Sequence, residues 1–327
     1  MTSAAELAGA LRSGDRRALA KAITLVESSR TVDRAAAREL LSMLGAARAG
    51  TRRIGVTGVP GAGKSTLIDA LGREAILAGR RVAVLAVDPS SRQSGGSVLG
   101  DKTRMSRLAA EPSAYVRPSP TLGFLGGIAA RTREVITLCE AAGYDSIFVE
   151  TVGVGQSEEQ VASMVDCLLL VLLAGAGDEI SSMKRGILEA ADVIAFNKAD
   201  GERIASVTDD AAALRANLTI SHGRSIPPVL VVSALDGLGI QELWGTLSAL
   251  HAEAEAAGAF QERRAQQRMQ WFESALEEAL LEALADRPGA DLARRVAEVS
   301  VEDGSVPPWE AAQRLVAALL PSQNSDR

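Results

Sequence analysis

The middle of the chain carries six short apolar runs with no polar alternation: 52–57 (RRIGVT), 81–87 (RVAVLAV), 146–150 (SIFVE), 168–174 (LLLVLLA), 193–197 (VIAFN) and 228–233 (PVLVVS). Runs of this kind suit strands buried on both faces of a parallel sheet. Helical stretches at 65–78, 127–142, 183–190 and 207–218 separate most of them. Strand and helix in alternation predict a doubly wound, mainly parallel α/β domain over about 49–252. Residues 1–48 read as a helical extension. Ala5, Leu7, Ala10 and Leu11 keep a helical period, Gly14-Asp15 breaks it, and Asp15 can cap a second helix. A third helix follows Thr31 and runs through Ala35 to Leu44. Beyond the α/β region, 253–327 reads as a C-terminal helical arm. Phe272, Leu276, Leu280 and Leu284 step by four along 255–285, one apolar stripe on a long helix. Two further helical patches, 290–298 and 308–320, flank Val306-Pro307-Pro308.

Composition narrows the classes. Of 327 residues, 47% are hydrophobic but only 3% aromatic, so the core must be aliphatic. A net charge of -6 argues against a domain-wide basic footprint for nucleic acid. The longest apolar run, Cys167–Ala174, is far short of the ~20 residues that span a bilayer. The first 30 residues, with Glu6 and Asp15 and no continuous apolar core, do not read as a secretory signal. Cys139 and Cys167 form no CxxC and sit in apolar surroundings, as buried thiols of a reducing cytosol would. A cytoplasmic protein is expected. His222 and His251 are isolated, which is poor spacing for a metal cluster. Five of the 35 basic residues are lysines: Lys21, Lys64, Lys102, Lys184 and Lys198. Four of them fall in the segments that carry chemistry.

The strongest motif is Gly58-Val59-Pro60-Gly61-Ala62-Gly63-Lys64-Ser65, followed by Thr66. It matches GxxxxGK[ST] between a strand and a helix, the context a phosphate-binding loop requires. Its glycines let backbone N–H groups turn inward around phosphate oxygens, and the helix N-terminus adds partial positive charge. Lys64 is placed to reach the terminal phosphates and the Ser65 hydroxyl to ligate Mg²⁺. Asn197-Lys198-Ala199-Asp200 follows a strand and matches NKxD. The Asp200 carboxylate can accept from the N1–H and 2-amino edge of guanine, which adenine lacks. Asn197 can fix the purine and its loop, and the Lys198 stem can stack on the ring. Ser233-Ala234-Leu235, after another strand, resembles the companion loop whose backbone touches the guanine oxygen. The three motifs in this order make GTP and GDP the expected nucleotides.

Glu150-Thr151-Val152-Gly153 sits where a GTPase carries DxxG: Glu150 for Mg²⁺, and Gly153 for a backbone N–H to the γ-phosphate. Asp88 and Asp101 bound a polar, Gly-rich stretch with the composition of a switch loop, and are further candidate metal-shell carboxylates. A plain helix-cap or turn role is the alternative for each. Gln156 lies three residues past Gly153 rather than next to it, so the water-orienting residue is not evident. Gly175-Ala176-Gly177-Asp178-Glu179, ending near the candidate catalytic Lys184, reads as a third loop close to the phosphates.

Together the strings GVTGVPGAGKST (55–66), VLAVDPSS (84–91), GGSVLGDKTRM (95–105), RPSP (117–120), ETVGVGQSE (150–158), GAGDE (175–179) and NKAD (197–200) resemble the MeaB/ArgK (MMAA-type) family. These are G-protein chaperones of adenosylcobalamin-dependent acyl-CoA mutases. The resemblance implies a P-loop NTPase fold of the SIMIBI-like G-domain kind. It implies a Mg²⁺ site formed by Ser65, Asp88, Asp101 and Glu150, a third switch in GAGDE, and a homodimer made by the C-terminal arm. It also implies slow GTP hydrolysis that gates cofactor loading onto the mutase and helps protect or rescue it. Methylmalonyl-CoA mutase is the first partner to expect, its adenosyltransferase a second. The chain departs from the family at Ala174, where proline is common, and at Ile180–Lys184 (ISSMK), where LQGIK is common. A nickel-insertion GTPase would need Cys/His clusters near the switches, and a P-loop kinase would leave NKAD unused.

Overall fold

The computed structural model describes residues 3–28, 30–45, 50–88, 105–120, 127–151, 157–175, 185–221 and 226–320. Among them a sheet of seven strands has the order β3-β2-β4-β1-β5-β6-β7. The strands are β1 (Arg52–Gly58), β2 (Val82–Asp88), β3 (Ala114–Pro120), β4 (Ser146–Thr151), β5 (Cys167–Leu172), β6 (Val193–Phe196) and β7 (Val229–Val231). Every ladder is parallel. Strands β4, β5 and β6 are buried along their whole length, as their unalternating apolar sequence requires. β3 is the strand that the hydrophobic pattern does not announce. It carries Pro118 and Pro120 and, among the described residues, pairs only with β2. An edge strand leaves one side of its ladder unpaired and so tolerates residues without an N–H.

Two apolar layers cover the sheet. On one face Ile54, Val56, Val84, Phe148, Leu169 and Phe196 pack with the helix α4 (Lys64–Leu77) through Leu67, Ile68 and Leu71. On the other, Ala83, Leu85, Ile147, Val149 and Leu168 pack with the N-terminal helices α1 (Ala4–Arg12), α2 (Arg16–Glu27) and α3 (Thr31–Leu44). Leu11, Leu19, Ile23 and Leu40 are fully buried there. Each contributes about 1.5–3 kcal/mol by leaving water, enough to hold the extension against the sheet. The caps are local: Ser3 and Glu6 form a reciprocal capping box, and the Asp15 carboxylate accepts from Arg17 N and Ala18 N. Arg117 of β3 pairs with Glu27, and Arg131 donates to the Glu27 carbonyl at 2.7 Å.

The remaining helices in the same unit are α5 (Ser106–Ala110), α6 (Gly127–Ala141), α7 (Ser157–Ala162), α8 (Arg185–Ala190), α9 (Ile204–Ser221) and α10 (Ile240–Ala256). The long C-terminal helix is interrupted at Gly258, whose φ of +71° is left-handed, and a new helix α11 (Ala259–Ala285) begins after it. Its first turns are bonded below the sheet. Arg264 donates to both Asp166 oxygens at 3.0 and 2.9 Å and to the Thr51 carbonyl at 2.8 Å. Gln267 donates to the Val165 carbonyl, and Arg263 pairs with Asp192. Compact packing groups residues 1–267 as one unit and 268–327 as a second.

The second unit holds the rest of α11 with α12 (Ala290–Glu302) and α13 (Pro308–Leu319). Among its described residues, Ala290 and Ala311 are the buried apolar ones. Phe272, Leu276 and Leu280 of the apolar stripe stand 58%, 46% and 57% exposed. Among the described residues no helix is long and apolar enough to cross a membrane.

Candidate nucleotide-binding site

In a parallel sheet the C-terminal ends of all strands lie along one edge, and that edge is where open α/β sheets bind ligands. β1 ends at Gly58, β4 at Thr151, β5 at Leu172, and β6 feeds Asn197, so segments far apart in sequence converge there. The loop 58–63 leaves β1 in a conformation that glycine alone allows. Gly58 has φ +145°, and a Cβ on it would lie 2.1 Å from the Val171 carbonyl oxygen of β5. Gly63 has φ +85°, and a Cβ there would lie 2.7 Å from Asn197 Nδ2. Both glycines are close-approach positions as well as turn positions.

Lys64 is buried at the start of α4, and its Nζ donates to the Gly58 and Val59 carbonyls at 2.9 and 3.1 Å. The ammonium is thus held at the mouth of its own loop. Ser65 Oγ donates to Glu150 Oε1 at 2.7 Å, and both residues are buried. β1–β4 pairing, with Val56 opposite Glu150, sets that juxtaposition. One residue further on, the hydroxyls of Thr57 and Thr151 bond at 3.1 Å and lock the two strand ends. A hydroxyl and a carboxylate side by side are hard oxygen donors of the type Mg²⁺ takes. Among the described residues no three of His, Cys, Asp and Glu gather as a metal-holding group. Asp88 ends β2 on the same edge, opposite Pro120 of β3, and its side chain is outside the description. Asp101, Gly153 and Lys184 lie outside the described residues.

The NKAD segment 197–200 is joined to the loop 58–63 through one amide. Asn197 is 2% exposed. Its Nδ2 donates to the Ala62 carbonyl at 2.8 Å, and its Oδ1 accepts from Ala234 N at 3.1 Å. Three separate segments, 58–65, 197–200 and 233–235, are therefore stitched by a single side chain. Lys198 follows with φ +64°, the one non-glycine residue in the left-handed region among those described. That conformation costs an ordinary residue about 1–2 kcal/mol. It brings the Lys198 stem over the loop, with Cε 3.9 Å from where a Gly63 Cβ would stand. Ser233 Oγ donates to Asp200 Oδ1 at 2.9 Å and accepts from Asp236 N, so the serine orients the carboxylate. Val59 and Ala62 are buried, Thr66 is half-buried, and Pro60, Gly61 and Leu235 face solvent.

Three contacts of the site escape a reading of the motifs. Asp210 of α9 accepts from Gly175 N at 2.6 Å and anchors the start of the third loop. Asp69 of α4 accepts from Leu108 N at 2.9 Å, capping α5, whose own preceding residue Met105 supplies no side-chain cap. Arg203 pairs with Asp200. The first two join residues 35 and 39 apart and leave no local signature. Arg203 stands at i+3 from Asp200, a spacing at which a pair is readable.

The family described as Methylmalonyl Co-A mutase-associated GTPase MeaB matches residues 19–288. The chain belongs to the MeaB family. It is a GTPase of the kind that includes a probable GTPase of Mycobacterium tuberculosis, 48% identical over 313 residues (95% of this chain, 93% of the relative). GTPase ArgK of Escherichia coli is 42% identical over 308 residues, with 93% of each chain covered. The mouse methylmalonic aciduria type A homolog, a mitochondrial protein, is 42% identical and covers 93% of this chain and 77% of its own. A crystal structure titled LAO/AO transport system kinase superposes with a TM-score of 0.72 at 36% identity, covering 97% of both chains. The similarity to these MeaB-family proteins therefore extends over the N-terminal helices and beyond residue 250, as well as over the nucleotide motifs.

Proposed function

We propose that this GTPase gates adenosylcobalamin loading onto a B12-dependent acyl-CoA mutase and protects or rescues that enzyme, with methylmalonyl-CoA mutase the first candidate. The observation that carries the reading is the match over 19–288 to a family named for association with that mutase. GTP is read at Asn197, Lys198 and Asp200 with the Ser233–Leu235 loop, and its phosphates are held by 58–66. The Asp200 carboxylate, oriented by Ser233, suits the donor edge of guanine. Hydrolysis is in-line attack of water on the γ-phosphorus, with the protein contributing position and charge. Lys64 exchanges its two loop carbonyls for phosphate oxygens. Ser65 and Glu150, with Asp88 and Asp101, would hold Mg²⁺, which supplies charge neutralisation on the phosphates when bound. Gly153 and Lys184 complete the phosphate side.

The C-terminal helical region, 253–327, serves as the arm of a homodimer. Its exposed Phe272, Leu276 and Leu280 form an apolar stripe of the type that a second copy covers. The protein acts in the cytoplasm, and the mutase's adenosyltransferase is a further candidate partner. Two measurements test the proposal. GTP hydrolysis by the isolated chain should be slow and should rise on adding the mutase. Unchanged hydrolysis, together with no nucleotide-dependent complex by size-exclusion chromatography, would refute it. Asp200→Asn should move preference from GTP toward XTP, and unchanged selectivity would refute the base-reading assignment.

A further inference from the structure

The two oxygens of the Asp200 carboxylate have different partners. Oδ1 accepts from Ser233 Oγ, while Oδ2 is paired with Nη2 of Arg203, on the short 3-10 turn Gly201–Arg203 that follows NKAD. The donor edge of guanine is chemically a guanidine: a planar N–C–N unit with an N1–H and a 2-amino N–H side by side. The arginine head group presents the same planar, parallel donors. Through Nη2, Arg203 thus pairs with one of the two carboxylate oxygens that the guanine edge would use. Its side chain is 59% exposed against 15% for Asp200, so it sits on the solvent side of the carboxylate. Its backbone is pinned: Arg203 N donates to the Asp200 carbonyl at 3.2 Å, and Ser206 Oγ donates to the Arg203 carbonyl at 3.0 Å. Rotation of the side chain alone therefore opens the carboxylate.

We propose that Arg203 is an intramolecular stand-in for the guanine edge. It closes on Asp200 when the base leaves and must swing away when the base docks. This lowers affinity for guanine nucleotides selectively and favours their exchange. The proposal rests on the assignment of Asp200 as the guanine-reading residue. Adenine offers no such donor pair, so it does not compete with Arg203 for Asp200. An exposed pair of this kind shifts an equilibrium by up to about fivefold.

The test is fluorescence titration of the full chain with N-methylanthraniloyl GDP, ADP and XDP, using the wild type, Arg203→Ala, Arg203→Gln, Asp200→Asn and the Asp200→Asn/Arg203→Ala double variant. Both Arg203 variants should bind GDP about three- to fivefold more tightly and ADP unchanged. The gap from wild type should narrow as salt is raised. In the Asp200→Asn background, which should prefer XDP, removing Arg203 should change XDP affinity by less than about 1.5-fold, because the pair it breaks is already gone. GDP affinity that is unchanged or weaker in both Arg203 variants, with Asp200→Asn still preferring XDP, overturns the role of Arg203 alone. If Asp200→Asn retains its preference for GDP, the base-reading assignment fails and the proposal falls with it.

Discussion

Asn197→Ala tests the stitching of the site most directly. The wild-type amide makes two buried bonds, to the Ala62 carbonyl and from Ala234 N, at a position 2% exposed. A typical hydrogen bond contributes about 0.5–1.5 kcal/mol net, and a buried partner left unsatisfied costs about 1–3 kcal/mol. Truncation orphans one carbonyl and one N–H, and water entering the space relieves part of that cost. The expected loss is about 2–4 kcal/mol. For a unit of this size, with about 2–4 °C per kcal/mol, the melting temperature should fall by roughly 4–16 °C. The released loop is the one proposed to hold phosphates, so GDP, ADP and inorganic pyrophosphate should all bind about tenfold or more weakly, tenfold being 1.4 kcal/mol. That pattern differs from the change of base preference expected of Asp200→Asn. Thermal unfolding monitored by circular dichroism and isothermal titration calorimetry read the two effects. A variant that melts within about 1 °C of wild type and binds GDP within about twofold would show that Asn197 does not hold the three segments together.

Other perturbations reach other parts of the same framework. Gly58→Ala places a methyl group against the Val171 carbonyl, a backbone atom that cannot yield, so β1 and β5 must separate at the loop. A loss of about 3 kcal/mol or more is expected, with nucleotide binding impaired, and urea denaturation checks it. Lys64→Ala should fold but lose nucleotide affinity, and equal GTP affinity by calorimetry would contradict its role. Arg264→Met leaves the Asp166 carboxylate buried without its ion-pair partner. Breaking such a pair costs about 3–5 kcal/mol, and denaturation should show it undiminished at high salt because the pair is shielded. Burial, with the Arg52 guanidinium next in weight, pushes the His251 imidazole below its ordinary value. The unfolded chain therefore takes up this proton first as pH falls, and stability drops from about pH 6.5 down to the folded-state value. His251→Gln should shrink the difference in melting temperature between pH 7.5 and pH 5, and an unchanged difference would refute the assignment.

What could be read from the sequence is what residues decide within a few positions of themselves. Asp15 caps α2 because its carboxylate reaches amides two and three residues ahead. The glycine-rich loop between β1 and α4 is legible because left-handed backbone is a local preference, and the buried runs are legible because a parallel sheet hides both faces. The apolar stripe of α11 is equally local, although its helix begins only after Gly258 ends α10. Family membership was readable too, since several short strings occur in one order.

Tertiary structure decided what joins those strings. Ser65 meets Glu150 across 85 residues, Asn197 meets Ala62 across 135, and Arg264 meets Thr51 across 213. No periodicity encodes such distances; they follow from strand order and register. β3 shows the same limit, since its prolines read against a strand until its place at the sheet edge is known. The sequence determined which chemical groups the protein owns and which local shapes they can take. The order of the seven strands decided which groups stand within a hydrogen bond of one another, because only a completed sheet brings the ends of its strands to one edge.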